Sequence, residues 1–226
     1  MRLYAYNFED RSPPRDFRAQ PQQNRSPTAK KMKTPITIRA FRGQHGACCL
    51  QSRLGSITFV DDYAVAEYYA QNPNDRTQQK LESPTVLECD ISLTNPLTNN
   101  GRDPYIDFED LEKKVGTRLA LGLMLRHSEY VTSTSVWEEI FSQRYGSLGD
   151  LVADDATQLK HLYVQVWPLL DHPQSVAELK NLGIDGAIHR GSAVSLDAVE
   201  YRVFDESQIK IVAVHPLLAK PPKPKI

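Results

Sequence analysis

One glutamate in this sequence stands in the middle of a predicted strand. In "AVEYRVFDESQIKIV", residues 198–212, apolar and aromatic residues alternate with polar ones, which is the period of a strand with two different faces. Glu200 lies within that strand, between Val199 and Tyr201. A carboxylate there either faces solvent or points into a cleft, where a fixed negative charge can stabilise positive charge that develops in a reaction. The choice depends on which other residues accompany it.

Three further segments accompany Glu200 in a fixed order. They are a strand ending in "FRG" (residues 41–43), a strand and helix containing "GSITF" and "AVAEYYA" (55–70), and "LGIDGAI" (182–188). In this order, and with the ending "EYRVFDESQIK", the chain resembles the ADP-ribosyltransferase superfamily, in particular its bacterial and phage branch. The resemblance covers most of residues 36–212, and its closing motif is the most specific part.

The resemblance implies an enzyme that binds NAD+ as its substrate and transfers ADP-ribose, releasing nicotinamide. Breaking the bond between nicotinamide and ribose leaves positive, oxocarbenium-like charge on the sugar, which the enzyme must stabilise more than it stabilises bound NAD+. Glu200 matches the family's catalytic glutamate, so the resemblance assigns it this role, worth on the order of 10²–10³ in rate. The six histidines and the adjacent Cys48 and Cys49 show no metal-ligand spacing, so no metal is expected.

Further residues match motif positions of the family and are therefore candidates for binding NAD+. Arg42 stands where relatives carry His or Arg, and its guanidinium suits the pyrophosphate or a ribose hydroxyl; the alternative is a surface arginine beside a turn. Gly43 would let backbone approach the nicotinamide amide, with a plain turn glycine as the alternative. Thr58 and Phe59 occupy the second-motif region, where an aromatic ring can stack on nicotinamide, and Phe59 is assigned with Glu200 and Arg42 to the catalytic set.

The helix that follows carries two further aromatic candidates. Tyr69 matches the position of a second stacking aromatic, and Tyr68 is the neighbour that could take this role instead; core packing is the alternative for both. The loop at residues 43–53 lies between the first two strands and could form one wall of a surface for the acceptor. Gln44 and His45 are its candidate substrate-binding residues.

One departure from the relatives' pattern bears on the acceptor. Transferases that modify arginine carry Glu or Gln two residues before the catalytic glutamate, and here that position is Ala198. This favours a threonine or serine hydroxyl, or water, over arginine. The set Arg42, Phe59 and Glu200 resembles bacterial effectors that modify ubiquitin on threonine, so a host protein such as ubiquitin is the expected partner.

A second departure concerns a serine-rich motif. Relatives of one class carry "Ser-Thr-Ser" on the second strand, whereas "TSTS" lies here at residues 132–135. We interpret Ser133 or Ser135 as the N-cap of a helix containing "VWEEIF" rather than as a site residue.

Two other functions stay open at this point. Water in place of an acceptor would make the chain an NAD+ glycohydrolase. A protein-binding module that kept the fold and lost catalysis is the other alternative, against which the joint presence of Glu200 and Arg42 argues. Whether NAD+ is consumed distinguishes the module from the two enzymes.

Composition limits the binding partners and the cellular compartment that we expect for this protein. The chain has 226 residues with 27 basic and 28 acidic side chains, a net charge of -1 that gives no argument for nucleic acid or an anionic membrane. No run approaches the roughly 18 apolar residues of a membrane span, and the N-terminus lacks the apolar core of a cleavable signal. We expect a monomer that is either cytoplasmic or a bacterial protein secreted without such a signal into host cytoplasm.

The two ends differ in composition from the middle. Residues 1–34 are rich in Arg, Lys, Gln and Pro and poor in aliphatic residues, which predicts a disordered segment suited to a translocation signal. Residues 217–226 form a Pro/Lys tail. Residues 35–216 between them are the expected catalytic domain.

Periodicity assigns the elements of that domain. Strands are predicted at 36–43, 57–60, 85–97 and 161–170, around Ala187, and twice in the closing motif. Helices are predicted after an N-cap at Asp61 or Asp62, and at 108–127, 135–146 and 175–182. Strands and helices are mixed without a strict βαβ rhythm, which predicts an α+β fold. The resemblance adds two small β-sheets that form the NAD+ cleft, with flanking helices.

Overall fold

The computed structural model describes residues 34–45, 50, 55–72, 83–99, 104–191, 193–195 and 197–218. The predicted disordered segment, except for residue 34, lies outside them, as do residues 219–226 of the tail. Cys48, Cys49 and most of the loop at 43–53 also fall outside. All of the described residues belong to one compact unit. None of the described helices combines the length and the apolar character that a bilayer crossing requires.

The described strands form one large sheet and one small one. They are β1 (Ile36–His45), β2 (Ile57–Val60), β3 (Pro84–Leu93), β4 (Leu97–Thr98), β5 (Tyr105–Asp107), β6 (Tyr163–Gln165), β7 (Gly186–Arg190), β8 (Val199–Val203) and β9 (Ile209–Pro216). The large sheet has the order β4-β7-β8-β2-β1-β3-β9, and β5 pairs with β6 in a separate sheet. Within the large sheet, β4 and β7 are parallel and the other pairs antiparallel.

The join between β1 and β2 explains how this sheet differs from the two small sheets that were expected. β1 pairs with β3 along its whole length, and β2 pairs with β8 along its whole length. Between β1 and β2, however, the register contains a single pair, Phe41 with Val60. The large sheet therefore consists of two halves that meet at one pair of residues. The α+β class is confirmed, but one seven-stranded sheet and one two-stranded sheet are present in place of two small sheets.

The helices are α1 (Tyr63–Gln71), α2 (Phe108–Val115), α3 (Thr117–Arg126), α4 (Ser128–Thr132), α5 (Leu148–Asp155), α6 (Val166–Asp171) and α7 (Pro173–Asn181). The Asp62 carboxylate caps α1 by accepting from the amides of Ala64 and Val65, which confirms the predicted start. The predicted helix at 108–127 is two helices, because Gly116 has a φ of 84°.

Three other predictions about elements were wrong in part or in full. The strand at 161–170 is limited to β6, after which the chain turns into α6. Short apolar runs such as this one do not distinguish a strand from a buried helix. The helix predicted at 135–146 starts at the expected residue but is shorter, because residues 135–141 are helical and the last five of them, Trp137–Phe141, form a π-helical turn. Neither predicted serine caps it: Ser133 donates to the Tyr130 carbonyl, and Ser135 contacts the Tyr163 hydroxyl.

Three clusters of buried hydrophobic residues hold these layers together. The largest joins the helices α2–α7 to β4 and β7. The second lies between the halves of the sheet and contains Ala40, Ile57, Phe59, Leu87, Cys89, Ile91 and Val203. The third lies under α1 and contains Val60, Ala66, Ala70 and Val86. Alternate residues of β8 therefore face different clusters: Val203 faces the second, whereas Arg202 pairs with Ala187 of the largest.

Two polar residues of the recognised motifs hold the sheet together. The Asp185 carboxylate accepts from the amides of Thr94 (2.5 Å) and Asn95 (2.9 Å), just after β3. The Gln208 side-chain amide donates to the carbonyls of Ser92 and Asp185, each at 3.0 Å. These residues connect the end of β3 to the turns before β7 and β9, so this part of the motif has a structural role.

Replacing Asp185 with Ala is expected to destabilise the fold by about 2 kcal/mol, because two backbone amides lose a charged acceptor. Urea unfolding followed by circular dichroism measures the change. Glu206→Ala, which changes an exposed carboxylate in the closing motif "EYRVFDESQIK", is the control and should shift stability by less than about 0.5 kcal/mol. Equal effects of the two changes would contradict the structural role of Asp185.

Candidate functional site

Glu200 is the centre of the site, and its side chain is buried. The residue is 7 % exposed. In the antiparallel register it lies opposite Val60 on β2 and opposite His189 on β7, so these side chains share one face of the sheet. The Ser195 hydroxyl donates to Glu200 Oε1 over 2.6 Å. Glu200 is therefore not one of the solvent-facing glutamates of an ordinary half-exposed strand.

A tight loop before β8 places Ser195 against Glu200. The Gly191 amide donates to the Ala198 carbonyl (3.0 Å), and the Ala198 amide donates to the Ser195 carbonyl (2.9 Å). A Cβ on Gly191 would lie 2.5 Å from the Ser195 Cβ, so the loop closes this tightly only with glycine at that position. Sequence reasoning missed Ser195, since the small residues around it indicate a turn but not the direction of the side chain.

Tyr69 is the aromatic candidate that the structure brings to Glu200. Burial raises the pKa of its hydroxyl. The nearby Glu200 charge raises this pKa further, whereas the Ser195 side chain, by hydrogen bonding, lowers it. Tyr69 is 38 % exposed and packs edge to face on Tyr68, which is 44 % exposed. The face of α1 that enters the core is formed by Ala66 and Ala70. Core packing therefore does not account for either tyrosine.

Two cationic or basic side chains lie near the other oxygen of Glu200. Arg202 Nε is 3.8 Å and His189 Nε2 is 3.9 Å from Glu200 Oε2. The Arg202 guanidinium also forms an ion pair with Asp171 at the end of α6, over 2.7 Å. Burial lowers the pKa of His189, and the positive charge of Arg202 lowers it further. Sequence reasoning missed both residues, although Arg202 follows Glu200 on the same face of an alternating strand.

Arg42 points between β1 and β2 rather than into solvent. Its guanidinium donates to the Thr58 carbonyl over 3.0 Å, and its Nε to Gln44 Oε1 over 3.4 Å. Burial, with the positive charge of Arg202, lowers the pKa of Arg42 to about 10, so the side chain remains charged at neutral pH. The structure thus places a desolvated cation in the same part of the sheet as Arg202.

The remaining candidates are dispersed around this centre. Thr58 is partly buried and lies opposite Arg202, on the Glu200 face. Phe59 is 1 % exposed, belongs to the second cluster and lies opposite Tyr201, on the other face. This placement leaves Phe59 no free ring face and argues against its predicted stacking and catalytic role.

The first strand supplies the last three candidates. Gly43 lies under α1, where a Cβ would overlap the Ala66 carbonyl oxygen and lie 2.6 Å from the Ala70 nitrogen. Helix packing therefore explains this glycine without a ligand. Gln44 and His45 are partly buried at the end of β1, and the loop that they lead into lies mostly outside the described residues.

A separate groove of about 710 Å³ lies between α3 and α7. It is lined by the residues Val115–Leu119, Gly122, Arg126, Glu178, Asn181 and Leu182. None of the candidate site residues lines it. We therefore place the candidate site at Glu200, where a buried carboxylate has a hydrogen-bond donor and basic groups around it, and not at this groove.

No protein-family model, no curated protein and no solved structure matches this chain.

Among the described residues, no group of three or more His, Cys, Asp or Glu side chains is arranged to hold a metal ion. The arrangement around Glu200 is a buried carboxylate with a hydroxyl donor on one oxygen, basic groups near the other, and a half-exposed tyrosine at its edge. Such a group can stabilise a cation that forms next to it.

Proposed function

We propose that this chain is a mono-ADP-ribosyltransferase that uses NAD+ and carries its catalytic carboxylate at Glu200. The observation that supports this most is the buried Glu200 carboxylate, with Oε1 held by the Ser195 hydroxyl and Tyr69 adjoining. A carboxylate fixed in a desolvated position needs little reorganisation when positive charge develops beside it. NAD+ is proposed as the substrate because the order of the sequence motifs resembles that of ADP-ribosyltransferases.

In the proposed reaction the bond between ribose C1′ and the nicotinamide nitrogen breaks, and its electron pair leaves with nicotinamide. Glu200 stabilises the oxocarbenium-like charge that remains on the ribose. An acceptor oxygen then bonds to C1′, and its proton is released to solvent. Arg42 is the cation proposed to meet the pyrophosphate, and Tyr69, with part of its ring exposed, is the aromatic proposed to stack on nicotinamide.

The acceptor that we propose is a threonine or serine hydroxyl of a host protein, with ubiquitin as the first candidate. Ala198 is 4 % exposed and has no charge with which to orient a guanidinium, and an uncharged acceptor does not need one. A reaction with a late, oxocarbenium-like transition state depends more on the position of the hydroxyl than on its basicity. Delivery into host cytoplasm without a cleavable signal is part of the same proposal.

The decisive experiment is to incubate the full chain with NAD+ and measure nicotinamide release, with and without ubiquitin. The proposed function predicts release together with a ubiquitin species heavier by one ADP-ribose. Label on the protein should resist neutral hydroxylamine and an arginine-specific ADP-ribose hydrolase. Release of nicotinamide without any labelled protein would favour the glycohydrolase, and an absence of release would favour the binding module.

Arg42→Ala is expected to raise the Michaelis constant for NAD+ by about 10-fold, because a charged partner for the pyrophosphate is lost. Arg39→Ala is the matched control on the same strand. Arg39 is half-exposed, forms ion pairs with Glu88 and Asp90, and lies on the opposite face of β1 from Arg42 by alternation along the strand. Steady-state kinetics on the folded variants, checked by circular dichroism, compares them. Equal Michaelis constants would contradict the role proposed for Arg42.

A further inference from the structure

The face of Glu200 that lies away from Ser195 contains two buried polar atoms without a hydrogen-bond partner among the described residues. They are His189 Nε2 and Arg202 Nε. Both lie near the same oxygen, Glu200 Oε2, at 3.9 Å and 3.8 Å, which is too far for a direct hydrogen bond. Leaving such groups unpaired in a buried site is unfavourable, because they have lost their hydrogen bonds to water, so a shared hydrogen-bond partner is favoured.

The hydrogen bond on the other side of the imidazole shows what His189 Nε2 presents to this gap. His189 Nδ1 lies 2.7 Å from the Arg190 carbonyl oxygen, which can only accept, so Nδ1 carries the hydrogen. Burial and the charge of Arg202 keep the pKa of the ring below its usual value, so the ring is neutral at pH 7. Nε2 therefore offers a lone pair, and neither it nor Glu200 Oε2 can donate to the other.

We propose that one water molecule is bound between His189 Nε2, Glu200 Oε2 and Arg202 Nε, and that His189 thereby acts as a positioning residue for Glu200. The water oxygen accepts from Arg202 Nε, and its two hydrogens are donated to Glu200 Oε2 and His189 Nε2. Three hydrogen bonds are the usual number for a buried water. The positioning role rests on the proposed function of Glu200, whereas the water site does not.

With this water, both oxygens of Glu200 are fixed by separate elements. Ser195 donates to Oε1 from the loop before β8, and the water donates to Oε2 from between β7 and β8. A carboxylate held at both oxygens keeps its orientation while charge develops on a neighbouring ligand. Arg202 is itself fixed by Asp171 on α6, so the water is attached to the helical layer as well as to the sheet.

Two measurements that need no activity test the water site. A long-range proton–nitrogen correlation spectrum of the full chain, with His189 assigned from its loss in His189→Gln, should show a neutral ring with hydrogen on Nδ1. A crystal structure of the full chain should show a water within about 3.2 Å of all three atoms. Hydrogen on Nε2 at pH 7, or a direct bond between His189 and Glu200 in the crystal, would overturn the proposal.

Two variants of His189 test the positioning role. In His189→Gln the side-chain carbonyl still accepts from the water, whereas His189→Leu has no acceptor. We expect kcat for NAD+ cleavage to fall about 10-fold in the leucine variant and less than about 3-fold in the glutamine variant, with the Michaelis constant nearly unchanged in both. The exposed His161→Leu is the control for loss of a histidine.

Equal losses in the glutamine and leucine variants would overturn the positioning role. If His189→Leu does not fold, a kcat in His189→Gln that is reduced 10-fold or more overturns it as well. If the unmodified protein cleaves no NAD+, the proposed function fails and the positioning role fails with it. The tautomer and the water in the crystal still decide the water site in that case.

Discussion

Replacing Glu200 with Gln is expected to lower the rate of NAD+ cleavage by about 10²–10³-fold while the protein stays folded. The glutamine side chain has nearly the same shape and can still accept from the Ser195 hydroxyl, so the loop before β8 remains in place. What is lost is the negative charge beside the developing oxocarbenium ion. Because this charge matters most in the transition state, kcat should fall while the Michaelis constant changes little.

Single-turnover measurement of nicotinamide release, with unfolding curves for both proteins, separates this effect from a loss of fold. Glu67→Gln on α1 is the matched control: its carboxylate accepts a hydrogen bond from Gln71 within the same helix, and we expect its activity to stay within about 2-fold. Near-full activity in a folded Glu200→Gln variant would remove Glu200 from the catalytic role.

The elements with the clearest periodicity were predicted from sequence, and the pairing between them was not. Strand β2 and the capped start of α1 follow from alternation and from Asp62, which are local signals. The single pair between β1 and β2 depends on how the halves of the sheet pack, for which the sequence of either strand has no signal. The same limit explains the error at 161–170, where burial rather than period decides between strand and helix.

Within the site, alternation together with the closing motif led to Glu200, but neither could identify the residues that surround it. Ser195 and Asp171 reach Glu200 and Arg202 through a loop and a helix end, and such contacts depend on tertiary structure. Phe59, in contrast, was assigned to the site from sequence, and its burial in the core argues against that role. Its motif position suggested a ligand-stacking ring, whereas its register opposite Tyr201 turns it into the core. A motif position thus indicates where a residue lies along the chain but not which face of the sheet it occupies.

Replacing Gly43 with Ala is expected to destabilise the protein by about 3 kcal/mol or more, because α1 packs directly on the backbone of β1 at this residue. The added methyl group would meet the Ala66 carbonyl oxygen and would lie 2.6 Å from the Ala70 nitrogen, both main-chain atoms of the helix. Neither can move unless α1 shifts as a whole. Because α1 also carries Tyr69, such a shift would separate its hydroxyl from Ser195 and reduce NAD+ cleavage together with stability.

Thermal and urea unfolding of Gly43→Ala measures this effect against Gly122→Ala. Gly122 lies within α3, and a Cβ there would have no atom within 4 Å, so alanine should stabilise the protein by about 0.5–1 kcal/mol. A stable Gly43→Ala protein would show that α1 is not in close contact with β1. If that protein also lost affinity for NAD+ without losing stability, Gly43 would be needed for the approach of the nicotinamide amide rather than for the helix.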